Sequence, residues 1–317
     1  VLATSASSQT SVTTRHQVAL VPSAPAGTPY LVGGTISYQR DGDSWAINNT
    51  RVQATVISSF TTSVDPAEPT PDLTPIDIIF QTNPWSVPEH RHGLSEYTFS
   101  HDDFITKTAS INASAGASGG PTNNLDIELS PLASSVTGTV IHSSQTSDTT
   151  QFQIVASYRK TGASSPPIDI VAGGYTVPNL APGKWDFNFQ HNSGNNDRFT
   201  FPQFELDLGP NDNQVREPPS TIVEKVNLTV DVTSVPEQAS ISLYQGAAFI
   251  ATLTDPSNSV TFMNLDPGIA FSLEVSAVQH DTKTVSVAAL NPGDDYTEEV
   301  DLEAWSTVSG QVFGQIG

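Results

Sequence analysis

The stretch Gly173-Gly174-Tyr175-Thr176-Val177-Pro178-Asn179-Leu180-Ala181-Pro182-Gly183-Lys184-Trp185-Asp186-Phe187 carries apolar residues at alternate positions on both sides of Pro182-Gly183. Alternation of this kind marks half-buried strands, and a Pro-Gly pair marks a turn, since proline fixes φ and glycine accepts a positive one. Read alone, the stretch is a hairpin. A second copy, Val260-Thr261-Phe262-Met263-Asn264-Leu265-Asp266-Pro267-Gly268-Ile269-Ala270-Phe271, lies about 85 residues downstream, a domain-sized repeat.

Working outward, the rest of the chain alternates too, and no helical stripe of useful length is present. We expect an all-β protein of tandem Ig-like or transthyretin-like sandwiches arranged as a rod. A first sandwich spans 28–131, built from Leu31–Tyr38, Thr50–Ile57, Ile76–Phe80, Tyr97–Phe99, Thr106–Ala113 and Leu125–Leu129. It carries a Pro/Asp-rich loop, Val64–Asp72, and a long insertion, Gln81–Ser95. A second spans 132–219 and closes on the hinge-like Arg216-Glu217-Pro218-Pro219. A third spans 220–304. Residues 1–27 read as a Ser/Thr-rich arm holding one strand, 17–22, and residues 305–317 as the first strand of a module that is absent or supplied by a partner. An orphan strand cannot bury its face alone, so these ends suggest completion by a neighbouring copy or truncation of a longer chain.

The order Val136-x-Gly138-x-Val140, the Gly173–Phe187 stretch and a closing Leu206-x-Leu208-Gly209-Pro210-Asn211-Asp212 resembles the carboxypeptidase regulatory-like domain, a transthyretin-like seven-stranded β-sandwich. The likeness is strongest in the second module and weaker in the third. The first has no Asn-Leu-x-Pro-Gly turn. The resemblance, which extends to collagen-adhesin B-type repeats, implies a non-catalytic spacer of surface proteins. In those adhesins intramolecular isopeptide links need a buried lysine; Lys225 is placed for one but has no matching acid.

Composition narrows the function. Twelve Lys+Arg against 33 Asp+Glu give a formal charge of −21, a surface that repels nucleic acid and anionic lipid. No apolar run is long enough to span a bilayer. Without cysteine there is no disulfide and no thiolate metal site. The Ser/Thr/Asn/Gly-rich, Lys-poor texture points to the outside of a cell.

Four groups of residues are candidates for chemistry. His90 and His92, two apart, with His101 could offer imidazoles to a metal, although the spacing matches no specific ligand pattern. Asp41, Asp43, Asp294 and Asp295 offer hard oxygens to calcium, but no EF-hand spacing is present and Asp favours turns for backbone reasons alone. Trp85, in the insertion, is the candidate exposed aromatic for stacking on a sugar, whereas Trp185, in phase with Phe187 and Phe189, belongs in a core. Sequons at Asn48, Asn112 and Asn227 permit glycosylation. No nucleophile elbow is found, and Glu298 and Glu299, adjacent on a strand, face opposite sides. The leading expectation is therefore a non-enzymatic extracellular stalk, adhesin shaft or filament subunit, self-associating by strand addition and requiring no cofactor. The alternative is an accessory carbohydrate-binding module of a secreted enzyme.

Overall fold

A computed structural model describes residues 30–58, 76–81, 83–90, 93–113, 122–144, 149–233, 238–306 and 309–311. The chain divides into two compact units, one ending at Pro131 and the other beginning at Leu132. Among the described residues all regular structure is strand, apart from one 3-10 turn, Asn196–Arg198, and no helix is long and apolar enough to cross a membrane.

Among the described residues the first unit holds ten strands: β1 (Tyr30–Gly34), β2 (Ile36–Arg40), β3 (Asp43–Ala46), β4 (Thr50–Ser58), β5 (Ile76–Phe80), β6 (Trp85–His90), β7 (Gly93–His101), β8 (Phe104–Ala113), β9 (Thr122–Asn124) and β10 (Ile127–Glu128). One layer is the sheet β5-β4-β7-β8; the other is broken into β6-β1-β9 and β10-β2-β3. The break falls at Thr35, whose N–H and Oγ1 both donate to Asp126 Oδ1 at 2.8 Å. Trp85, Tyr97 and Phe99 fill the core between the layers.

The second unit contains two sandwiches. The upstream one has β11 (Ser134–His142), β12 (Phe152–Tyr158), β13 (Ile168–Asp169), β14 (Gly174–Leu180), β15 (Gly183–His191), β16 (Phe199–Thr200), β17 (Gln203–Leu208) and β18 (Asn213–Glu224), in sheets β14-β11-β18-β16 and β13-β12-β15-β17. The downstream one has β19 (Val226–Thr233), β20 (Ala239–Gln245), β21 (Ala248–Asp255), β22 (Ser259–Leu265), β23 (Phe271–Ser276), β24 (Lys283–Val287) and β25 (Asp295–Asp301), in sheets β22-β19-β25 and β21-β20-β23-β24. All three sandwiches follow one plan, each with its own buried core. The all-β sandwich class expected from the alternation is what the chain adopts.

The stretch that announces the fold is not a hairpin. β14 pairs with β11, and β15 pairs with β12 and β17 in the opposite sheet, so Ala181-Pro182-Gly183 carries the chain across the core. The repeat does the same: β22 pairs with β19, and β23 with β20 and β24. Alternation shows which side chains are buried but not whether two strands lie side by side or face to face. The asparagines have a separate task. Asn179 (φ 59°) and Asn264 (φ 60°) hold the left-handed conformation at bulges between Ser134/Val136 and between Val226/Leu228. Asparagine tolerates that region better than most residues, and the extra residue turns Leu180 and Leu265 into their cores.

Three further expectations are corrected. Gln81–Ser95 is not a loop insertion, because it supplies β6 and the start of β7, which occupy the places of β14 and β15. Trp85 is 1% exposed, so it is no sugar platform. It stands in register opposite Gly34, as Tyr175 stands opposite Gly138, and packs on Phe80, Tyr97 and Phe99. Arg216–Pro219 is not a hinge either. β18 continues past it to Glu224, re-pairing with β11 as Val140↔Ser220 and His142↔Ile222 after a register shift. The expected strand 17–22 and loop 64–72 lie outside the described residues, as do most of 305–317.

Candidate functional site: the paired terminal strands and their joint

In each sandwich the first strand lies next to the last, and the two run parallel: β1 with β9 and β2 with β10, β11 with β18, and β19 with β25. Parallel neighbours place the entry and exit of a sandwich at opposite ends. Tension between entry and exit then loads the ladder along the strand axis, so that its hydrogen bonds resist together instead of opening one by one. In the second sandwich that ladder runs from Ser135↔Asn213 to His142↔Ile222, and in the third from Asn227↔Asp295 to Thr233↔Asp301.

A backbone clasp recurs where each last strand ends. Ile105 N–H donates to Ser130 O, Lys225 N–H to Arg198 O, and Trp305 N–H to Gln279 O, each at 2.8 Å. The clasping residue always follows the same strand of the second sheet, β7, β15 or β23. In the third sandwich Trp305 Nε1 also donates to Asp281 Oδ1 at 2.8 Å.

Between the second and third sandwiches there is a single residue, Lys225, since β18 ends at Glu224 and β19 begins at Val226. Arg198 stands beside this joint, 25% exposed. Its Nε donates to Glu224 Oε1 at 2.9 Å, its Nη2 to Gly293 O at 3.4 Å, and its Nη1 lies 3.5 Å from Asp295 Oδ1. The hydrogen bond to Glu224 is the foremost cause of its raised pKa, with burial opposing and Asp295 assisting. His142, buried between Phe152 and Phe199, brings Nε2 to 3.4 Å from the other oxygen of Glu224. From the third sandwich, Asn227 N–H donates to Asp294 O at 3.0 Å and Asn227 Nδ2 to Asp295 Oδ1 at 2.7 Å, which fixes the turn that faces Arg198.

The structure distributes the proposed ligands. Asp294 Oδ2 accepts the Asn291 N–H at 2.9 Å, which closes its own turn, and Asp295 is engaged by Asn227 and Arg198. Asp41 (φ 53°) forms the β2–β3 turn, and Asp43 begins β3 opposite Arg40. His101 Nδ1 accepts the Asp103 N–H at 3.1 Å, and its ring packs on Phe104. His90 ends β6 and His92 lies outside the described residues. Among the described residues no group of three or more His, Asp or Glu side chains is placed to hold a metal ion. Lys225 is half-buried at the joint, not enclosed in a core. Sequence reasoning passed over Arg198, Glu224 and His142; the available signal was a guanidinium between Asp197 and Phe199 in a chain so poor in basic residues.

No family model matches the chain, and no curated protein matches it. Solved structures do. The Bacillus anthracis TIE protein is 8% identical, covering 87% of this chain and 51% of its own, with a TM-score of 0.36. The major pilin SpaD from Corynebacterium diphtheriae is 8% identical over 90% of this chain and 99% of its own, TM-score 0.32. BcpA, the major pilin subunit of Bacillus cereus, is 8% identical over 87% and 100%, TM-score 0.29. The chain thus spans about half the length of the TIE protein.

Proposed function

We propose that this chain is a non-enzymatic, extracellular structural protein, a tension-bearing stalk or filament subunit that associates with further copies of itself. One observation carries the reading: each sandwich pairs its first and last strands in parallel, so tension applied through the chain shears the ladder. Shear is the geometry in which a small β-domain resists pulling best. The outward acidity fits an exposed surface that resists non-specific association.

Single-molecule force spectroscopy tests it. Because the chain has no cysteine, two introduced cysteines define the pulling points uniquely. Attachment outside β11 and β18, at Ala133 and Lys225, loads their ladder in shear. Attachment at Ser135 and Asn213, which are register partners, peels it open. The expected outcome is a several-fold higher unfolding force in the first geometry. Equal forces would refute the stalk reading. Electron microscopy of the purified chain tests self-association separately, with fibres expected.

A further inference from the structure

We propose that Arg198 is a latch that fixes the third sandwich against the second, and that its catch is the Asn291–Asp295 turn. The latch is built from both sides. On the second sandwich Arg198 is held by Glu224 through Nε, and its backbone carbonyl accepts the Lys225 N–H that leads out of β18. On the third sandwich the Gly293 carbonyl and the Asp295 carboxylate face the same guanidinium, at 3.4 and 3.5 Å.

Two further observations make the contact specific. Gly293 has φ +82°, and a Cβ there would sit 2.7 Å from Glu224 Oε2 and 3.3 Å from Ser144 Cβ, both in the second sandwich. The turn is therefore shaped to let the two surfaces meet, at a position where a side chain would be strained and would collide. Asn227 meanwhile ties the turn to the root of β19, so the turn moves as part of its own sandwich.

The charges give the latch a direction. Glu224 and Asp295 belong to different sandwiches and both face Arg198. Without the guanidinium they face each other, and like charges disfavour the closed joint. Glu224 is only 16% exposed and Arg198 25%, so their pair is shielded from salt, whereas Asp295 is 67% exposed. Salt acts chiefly on the half of the latch that crosses the joint. Closure thus weakens with ionic strength while each sandwich keeps its own fold.

This inference deepens the stalk reading by naming what sets the angle between neighbouring modules, but its test involves no pulling, so the two can fail separately. Spin labels on Lys160→Cys and Ser286→Cys, both exposed in the parent chain, report the distance between the sandwiches by pulsed electron resonance. The parent chain at low salt is expected to give one narrow distribution. In Arg198→Ala a second population should grow about tenfold, the scale of losing hydrogen bonds between charged groups, and 1 M salt should move the parent chain the same way. Asp295→Ala removes the catch without touching the second sandwich and should act alike if Arg198→Ala fails to fold. Gly293→Ala should open the joint by collision. Unchanged narrow distributions in Asp295→Ala and Gly293→Ala, or a broad distribution in the parent chain at low salt, would overturn the proposal.

Discussion

Gly138→Ala is expected to destabilise the second sandwich, although by backbone criteria it should do the reverse. Gly138 lies within β11, and replacing a strand glycine by alanine in compatible backbone ordinarily stabilises by about 0.4–1 kcal/mol through the unfolded state. Here an added Cβ would lie 2.3 Å from Tyr175 Oη, 2.5 Å from its Cζ and 2.9 Å from its Cε1. The clash is with a ring held at 4% exposure by Phe189, not with the tip of a flexible chain. Overpacking of this kind costs about 1–3 kcal/mol, which outweighs the entropic gain. For a domain of this size a net 2 kcal/mol lowers Tm by roughly 8–16 °C. The third sandwich suggests the rescue, because its equivalent register pair is Val230↔Val260 where the second has Gly138↔Tyr175. Gly138→Val combined with Tyr175→Val should therefore recover more than 1 kcal/mol, roughly, of the summed single-variant losses in a double-mutant cycle. Calorimetry of Gly138→Ala and of the four proteins of the cycle measures this. A neutral or stabilising Gly138→Ala, or strict additivity in the cycle, would refute the volume argument.

Trp85→Ala should cost about 3–5 kcal/mol by leaving a cavity among Phe80, Tyr97 and Phe99, read as an earlier chemical-denaturation midpoint of the first unit; a surface aromatic would leave it unmoved. Asn179→Ala and Asn264→Ala should each lose about 1–2 kcal/mol at their left-handed positions, and glycine at either site should retain most of the stability in the same unfolding assay. Hydrogen bonds from Thr35 and then Asn124 hold the Asp126 carboxyl below its ordinary range. Because the folded value is the lower one, these bonds stabilise the fold at pH above the unfolded value of about 3.9, and their contribution disappears as pH falls through the folded value. Carbon-detected NMR titration should show the Asp126 midpoint move upward in Thr35→Val.

How much was legible in the sequence follows from the kind of information each residue carries. A period of two is a local property, so the burial of Tyr175, Val177, Trp185, Phe187 and Phe189 could be read directly, and with it an all-β fold. The domain-length recurrence of Asn-Leu-x-Pro-Gly was equally plain, and in both copies the asparagine, Asn179 or Asn264, takes the left-handed conformation at its bulge. Pairing is not local. Nothing in Pro182-Gly183 distinguishes a turn within one sheet from a crossing between two, because both strands bury the same face in either case.

The remaining misreadings share that cause. Trp85 follows Pro84 in a polar, proline-containing stretch, which is why it resembled a loop aromatic; its register partner in β1, Gly34, is distant in sequence. Pro218 and Pro219 signalled a boundary, yet β18 resumes beyond them because β11 offers a second set of partners. Arg198 shows no motif at all, and its significance comes from Glu224 and Asp295, which the fold brings to it from two different sandwiches.

By itself, then, the sequence determined the strand class, the repeating unit and the acidic exterior, all of which depend on neighbouring residues or on sums over the chain. Which strands pair, that first and last strands run parallel, and that one arginine spans a joint with a one-residue linker were decided only in the tertiary structure. Those features depend on hydrogen bonds and charges between residues far apart in the chain, and no local pattern encodes them.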